Sequence, residues 1–189
     1  MSYNESKAMA MAAFFLERAG GRLNDIKLMK LMYLAEREAL LKMNATVTGD
    51  SFVIMMHGQV LSHTLRRMSP HLEAGGDPAL IWRDYILPCE SGTDNEISLR
   101  KSAPSDEFLS KFELSLLSGV WDEFGPMDKW QIRDFCHKLP ECQEIPSGRI
   151  PLDVADILYA EGLSQEEVQT RLADQRYFEK VDEVFQSME

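Results

Sequence analysis

The stretch Asp25 to Met43, DIKLMKLMYLAEREALLKM, constrains this chain more than any other. Ile26, Leu28, Met29, Leu31, Met32 and Leu34 leave almost no polar side to a helix of ~3.6 residues per turn. A helix apolar around most of its circumference belongs in the middle of a domain, with other elements wrapped around it. Leu28, Leu31, Met32 and Tyr33 are therefore the first core candidates. Lys27, Lys30 and Arg37 fall on one stripe about 80° wide at ~100° per residue. That stripe reads as the helix's outlet to water, with an acidic partner as the alternative.

The flanking segments give the architecture. Asn4 to Ala19 keeps helical spacing through Ala8, Met11, Ala12, Phe15 and Leu16, and Gly20-Gly21 ends it. Asn24 is placed to cap the next helix, with Asp25 in its first turn. After Lys42 the period changes. NATVTGD is turn chemistry, SFVIMM reads as a strand, Gly58 breaks it, and Leu61 to Met68 is helical again. EAGGDP reads as a loop, ALIWRDYIL as a strand with Ile81, Arg83 and Tyr85 on one face, and GTDN as a turn into the strand EISLRK.

Helix resumes at Ser105 and runs to Gly125-Pro126, followed by a shorter helix from Met127 to Lys138. PSGRIP reads as a loop, and Leu152 to Glu161 as a helix closed by Gly162. Ser164 with Glu167 three residues on is a capping box for the last helix, whose stripe of Val168, Leu172, Phe178, Val181, Phe185 and Met188 is sparse. The expectation is a single compact domain over residues 1–189, α+β and mostly α, with a small antiparallel sheet or hairpin inserted between the N-terminal and C-terminal helices.

Composition narrows the function classes. A chain of 189 residues can bury a substantial core. No apolar run approaches the ~18 residues that would span a bilayer, and MSYNESK lacks the build of a signal peptide, so no membrane partner and a cytoplasmic location are expected. Cys89, Cys136 and Cys142 form no CxxC pair and read as reduced thiols. The formal net charge of −11 argues against binding nucleic acid by itself. Residues 1 to 72 carry nine Lys/Arg against six Asp/Glu, a net of +3, so the remainder carries −14. Such a field suits a partner with basic patches.

Chemistry-bearing motifs are sparse. There is no GxGxxG, GxxxxGK[ST] or GxSxG. His57, His63, His71 and His137 show no metal-ligand spacing, and neither Ser62-His63 nor Cys136-His137 sets a nucleophile against a base. No catalytic residue, cofactor or metal is assigned. The stretch HGQV, His57 to Val60, reads as a corner that ends a strand and launches the helix bearing Arg66 and Arg67. His57 is expected to hold that turn by hydrogen bonds, and His137 to close a helix C-terminus.

KLMKLMYLAEREAL followed by VTGDSFVIMMHGQVLSHTL resembles the Panacea domain, the antitoxin SocA-like family. Its pattern there is roughly K-L-x-K-L-x-Y-x-A, then T-G-D and an apolar strand, then H-G-P-V into a helix. WDEFGPMDKWQIRDFCHKLPE and GRIPLDVADILYAEGLSQEEV resemble later segments, so the likeness covers about residues 4–173 and leaves 174–189 as a C-terminal helix extension. Matching motif positions are Leu28, Leu31, Tyr33, Gly49, Asp50, His137, Pro140 and Glu141. Gln59 stands where the family commonly has proline, and Cys142 where it commonly has tryptophan. The resemblance implies an antitoxin that neutralises a cognate toxin protein by direct binding, not an enzyme. One branch is similar to a proteolytic adaptor delivering its toxin to a Clp-type AAA+ protease, and a small-ligand binder or enzyme is the weakest reading. Expected partner-contact residues are His57, Gly58, Gln59, Val60, Arg66, Arg67, Lys27, Lys30 and Arg37; homo-oligomerisation stays open.

Overall fold

A computed structural model describes residues 2–69, 80–88 and 95–186. Helix α1 (Glu5–Arg18) is capped by Asn4, whose side chain accepts from the Lys7 N–H. The three-residue strand β1 (Arg22–Asn24), which the sequence did not announce, leads into α2 (Asp25–Met43). Asn24 caps α2 as expected, accepting from the Ile26 N–H at 3.0 Å. The apolar circumference of α2 is satisfied by packing against α1, α6 (Lys111–Phe124) and α7 (Lys129–His137). Leu28, Leu31, Met32 and Tyr33 are all fully buried.

Two separate three-stranded antiparallel sheets flank this bundle. One is a hairpin of β2 (Phe52–Met55) and β3 (Gly58–Leu61), extended on the far edge of β2 by β6 (Ile150–Pro151). Val53 faces Val60 and Met55 faces Gly58, so Met56 and His57 form the two-residue turn. HGQV is thus the second half of a hairpin rather than a corner between strand and helix; α3 (Ser62–Met68) follows only after Leu61. In the other sheet β5 (Glu96–Leu99) lies between β1 and β4 (Ile86–Leu87).

Three local expectations are corrected. ALIWRDYIL is not a strand: Leu80–Tyr85 forms α4, and only Ile86 and Leu87 pair in a sheet. Tertiary packing overrides the alternating pattern, since Trp82 is fully buried, α4 packs on α1, and the Trp82 N–H points to Glu5. The long helix expected from Ser105 divides into α5 (Ser105–Phe108) and α6 at the extended, buried Leu109. Ser110 restarts it, through a capping box with Glu113. PSGRIP contributes β6, because Ile150 and Pro151 pair with Ile54 and Val53.

The chain closes with α8 (Val154–Ala160) and the long α9 (Gln165–Gln186), which begins at the expected Ser164–Glu167 box. Val168 is buried and Leu172 packs on the core, whereas Tyr177 and Phe178 stand exposed. Among the described residues the architecture is α+β and mostly α. The segments around His71, Cys89, the EAGGDP loop, most of GTDN and Met188 lie outside the described residues.

Candidate functional site

Three polar clamps fix the scaffold, and the motif residues Tyr33, Gly49, Asp50, His137 and Glu141 sit at them, while Leu28 and Leu31 are core and Pro140 is exposed. In the first, the Arg37 Nε donates to Glu141 Oε1 at 2.7 Å, and the Tyr33 hydroxyl donates to the same oxygen at 2.8 Å. Arg37 also bonds Glu161 just beyond α8. One residue of α2 thereby ties down both the Pro140-Glu141 turn and the α8 end. Burial alone would lower the Arg37 pKa, but the bonds to Glu141 and Glu161 outweigh it and hold the guanidinium charged. Burial and the neighbouring carboxylate push the Tyr33 phenol well above its ordinary range.

The second clamp orders the Val47–Asp50 segment. Glu36, wholly buried on α2, accepts from the Val47 N–H at 2.5 Å, from the Thr48 N–H at 2.9 Å, and from the Thr48 hydroxyl. Burial raises its pKa to about 7 against the opposing pull of these donors. Two residues on, Asp50 accepts from the backbone of His63 and Thr64 and from the Thr64 hydroxyl, each at 2.8 Å. It caps α3 from a distance, where Leu61, the residue before the helix, offers no side-chain acceptor. Gly49, at φ +70°, supplies the left-handed turn that points Asp50 inward.

The third clamp lies under the hairpin. The Lys30 Nζ, almost completely buried, donates to the Gln59 carbonyl at 2.6 Å, and the Gln59 Nε2 donates to the Cys136 carbonyl near the end of α7 at 3.2 Å. Gly58 sits at φ +81°, and a Cβ there would meet the His137 ring at 3.1 Å and Lys30 Nζ at 3.2 Å. The left-handed backbone favours glycine, and a Cβ would also make the His137 ring or the Lys30 Nζ give way by a few tenths of an ångström. Burial lowers the Lys30 pKa to about 8 and raises the Cys136 thiol to about 12.

These contacts revise the expected site. Lys30 and Arg37 are not an outlet to water; both turn inward, because carbonyl and carboxylate partners far along the chain reach them. Lys27 is half-buried with its Nζ on the Gly125 carbonyl at 2.7 Å. Gly58, Gln59 and Val60 are buried too. His57 is exposed at the hairpin tip, and its side chain makes no hydrogen bond among the described residues, so the expected hold on the turn is not seen. Arg66 is exposed, whereas Arg67 folds back onto Glu5 at 3.1 Å. His137 does end α7, but its buried Nε2 has no hydrogen-bond partner among the described residues. Pro140 is exposed. Sequence reasoning missed Glu36 and Glu161, whose partners are set only by tertiary structure.

The outer surface carries exposed aromatic groups: Phe112 on α6, Trp130 on α7, Tyr159 on α8, and the edge-to-face pair Tyr177–Phe178 on α9. A cleft of about 610 Å³ is lined by residues of the Met43–Phe52 segment, by Pro151 to Val154, and by Gln175 and Phe178 of α9. Among the described residues, no cluster of His, Cys, Asp and Glu is arranged to hold a metal, and no helix is long and apolar enough to cross a membrane.

Among the described residues the fold and its clamps make a small, mostly helical α+β domain. The family model described as antitoxin SocA-like, Panacea domain, matches residues 28–142, and the chain belongs to that family. The matched span runs from Leu28 of α2 to Cys142 and takes in the residues of the three clamps except Glu161. Comparison with curated proteins and with solved structures gives no match.

Proposed function

We propose that this protein is the antitoxin of a toxin–antitoxin pair and neutralises a cognate toxin protein by binding it directly. The observation that carries this reading is the family match over residues 28–142. Its motif residues Tyr33, Asp50 and Glu141 face inward and hold the frame. Contact therefore falls to the exposed surface, where His57, Arg66 and the outer aromatics stand. Aromatic and Arg side chains are the usual anchors of interfaces, and the net charge of −11 favours encounter with a basic partner.

The test is co-expression with the product of the adjacent reading frame in a heterologous cytoplasm. Rescue of growth together with a purified one-to-one or higher complex supports the reading. Absence of both rejects it. The same assay in cells without the Clp-type protease separates the mechanisms: protection that persists is direct neutralisation, and protection that disappears is delivery by an adaptor.

A further inference from the structure

The cleft of about 610 Å³ next to the second clamp falls within the ~300–1,000 Å³ of small-molecule sites. Phe52 and Leu152 line it as buried residues, tied by the Leu152 N–H to the Phe52 carbonyl at 3.0 Å. Met43 and Val154 line it half-buried, and Pro151 and Phe178 line it exposed. Phe178 keeps 62% of its surface in solvent, so the cleft carries an accessible apolar face.

Bonds already in place hold the lining. Glu36 fixes Val47 and Thr48 beside Thr46, and Asp50 is anchored on the first turn of α3. On the α9 side the Gln175 Nε2 donates to the Asn44 carbonyl at 3.0 Å. A cleft built in this way needs little reordering when a ligand enters.

Its charge has one sign. Among the described residues the lining includes Asp50 and Asp153 and no Lys, Arg or His. The Asp50 carboxylate is taken up by the Ser51, His63 and Thr64 donors. Asp153 is exposed and makes no ion pair among the described residues. Asp156 stands exposed one turn on, where it accepts from the Asp153 N–H at 3.2 Å. Arg171, one turn before Gln175, has its guanidinium on the Leu41 carbonyl at 3.0 Å. An anion would meet carboxylates with no countercharge in the lining. A cation finds Asp153 and the face of an exposed phenylalanine, both of which attract it.

We infer that this cleft binds a small organic cation, an ammonium or guanidinium group on an aromatic or aliphatic stem, with its charge at Asp153 and its stem against Phe178. This ligand site goes beyond the antitoxin reading and does not depend on it.

Three indoles with a common two-carbon stem test it on the full chain. Tryptamine carries a cation, tryptophol a neutral hydroxyl and indole-3-propionate an anion. In NMR titrations tryptamine should shift the amides of Ser51, Asp153 and Gln175, with a dissociation constant at least about tenfold below that of indole-3-propionate. Asp153→Asn keeps a capping side chain for α8 and should remove most of that preference. Asp122→Asn alters an exposed carboxylate outside the lining and should leave it intact. Phe178→Ala should weaken tryptamine binding severalfold without lowering the melting temperature. Failure of every probe to shift those amides overturns the inference, as does equal binding of all three. Equal effects of Asp122→Asn and Asp153→Asn would assign the preference to the net charge of −11 and overturn it as well. If no probe binds but Phe178→Ala loses the product of the adjacent reading frame, the occupant is a protein segment and the small-cation site is rejected.

Discussion

Arg37 and Glu141 meet Nε to Oε1 at 2.7 Å across 104 residues of chain, with the Glu141 side chain fully withdrawn from solvent. The contact joins the central helix to the turn after α7. Removing Arg37 leaves the buried Glu141 carboxylate without a countercharge, which costs far more than the pair is worth as a unit, whereas removing Glu141 leaves Arg37 its half-exposed partner Glu161. Arg37→Ala should lower unfolding free energy by about 3–5 kcal/mol in urea titrations, and Glu141→Ala by less, because Arg37 keeps Glu161. Tyr33→Phe should cost only about 1 kcal/mol, because Arg37 still satisfies Glu141. The double variant Arg37→Met/Glu141→Leu should recover most of the loss. Single variants within 1 kcal/mol of wild type would show the clamp to be incidental.

Glu36 gives the stability an uncommon pH dependence. Its folded pKa, about 7, lies above the ordinary value of 4.5, so the folded state holds this proton more tightly than the unfolded chain. The stabilisation linked to it is complete below about pH 4.5 and is lost as pH rises through about 7. Between those limits the contribution falls by up to ~1.4 kcal/mol per pH unit. Urea midpoints compared at pH 5 and pH 8 should show the decline, and Glu36→Gln should flatten it. An unchanged slope in Glu36→Gln would place the titration elsewhere.

What the sequence conveyed divides along contact range. Asn24 and the Ser164–Glu167 box act within two or three residues, so their roles are readable from spacing. The burial of Lys30 and Arg37 was not readable, since a charged stripe looks alike whether it meets water or a carboxylate from far along the chain. The Gln59 carbonyl lies 29 residues from Lys30, and Glu161 lies 124 from Arg37. The segment around Trp82 misled in the opposite direction. Its alternation of Ile81, Arg83 and Tyr85 fits a strand, but docking on α1 selects a helix. The family resemblance marked Asp50 and Glu141 without showing which way they face.

Asp50 should prove a strong single stabiliser of α3, a helix of only seven residues. Its carboxylate takes both early backbone donors and the Thr64 hydroxyl at 2.8 Å each, and helix N-termini favour negative charge. Asp50→Ala should cost about 2 kcal/mol and speed amide exchange at His63 and Thr64. Asp50→Asn keeps one acceptor oxygen and should cost less. Equal protection of those amides in Asp50→Ala and wild type would remove the capping role.

The hairpin offers a paired test of adjacent residues with opposite expected outcomes. Ser62 donates to the Ser51 carbonyl, and the Leu61 N–H turns away to the Met29 sulfur at 3.2 Å. In an antiparallel ladder bonded and non-bonded pairs alternate, so Gln59 opposite Ile54 is of the same non-bonded kind as Leu61 opposite Phe52. Its N–H therefore points off the sheet, and β3 is an edge strand, where proline is tolerated. Gln59→Pro loses the bond to the Cys136 carbonyl but also removes a buried amide oxygen that has no partner among the described residues. The stability change should stay within about 1 kcal/mol in either direction. Gly58→Ala faces both a left-handed backbone and contacts of 3.1–3.2 Å with His137 and Lys30. It should cost about 2 kcal/mol or more by thermal and urea unfolding. Should Gln59→Pro collapse the fold while Gly58→Ala is tolerated, the register and the packing beneath the hairpin would both be wrong.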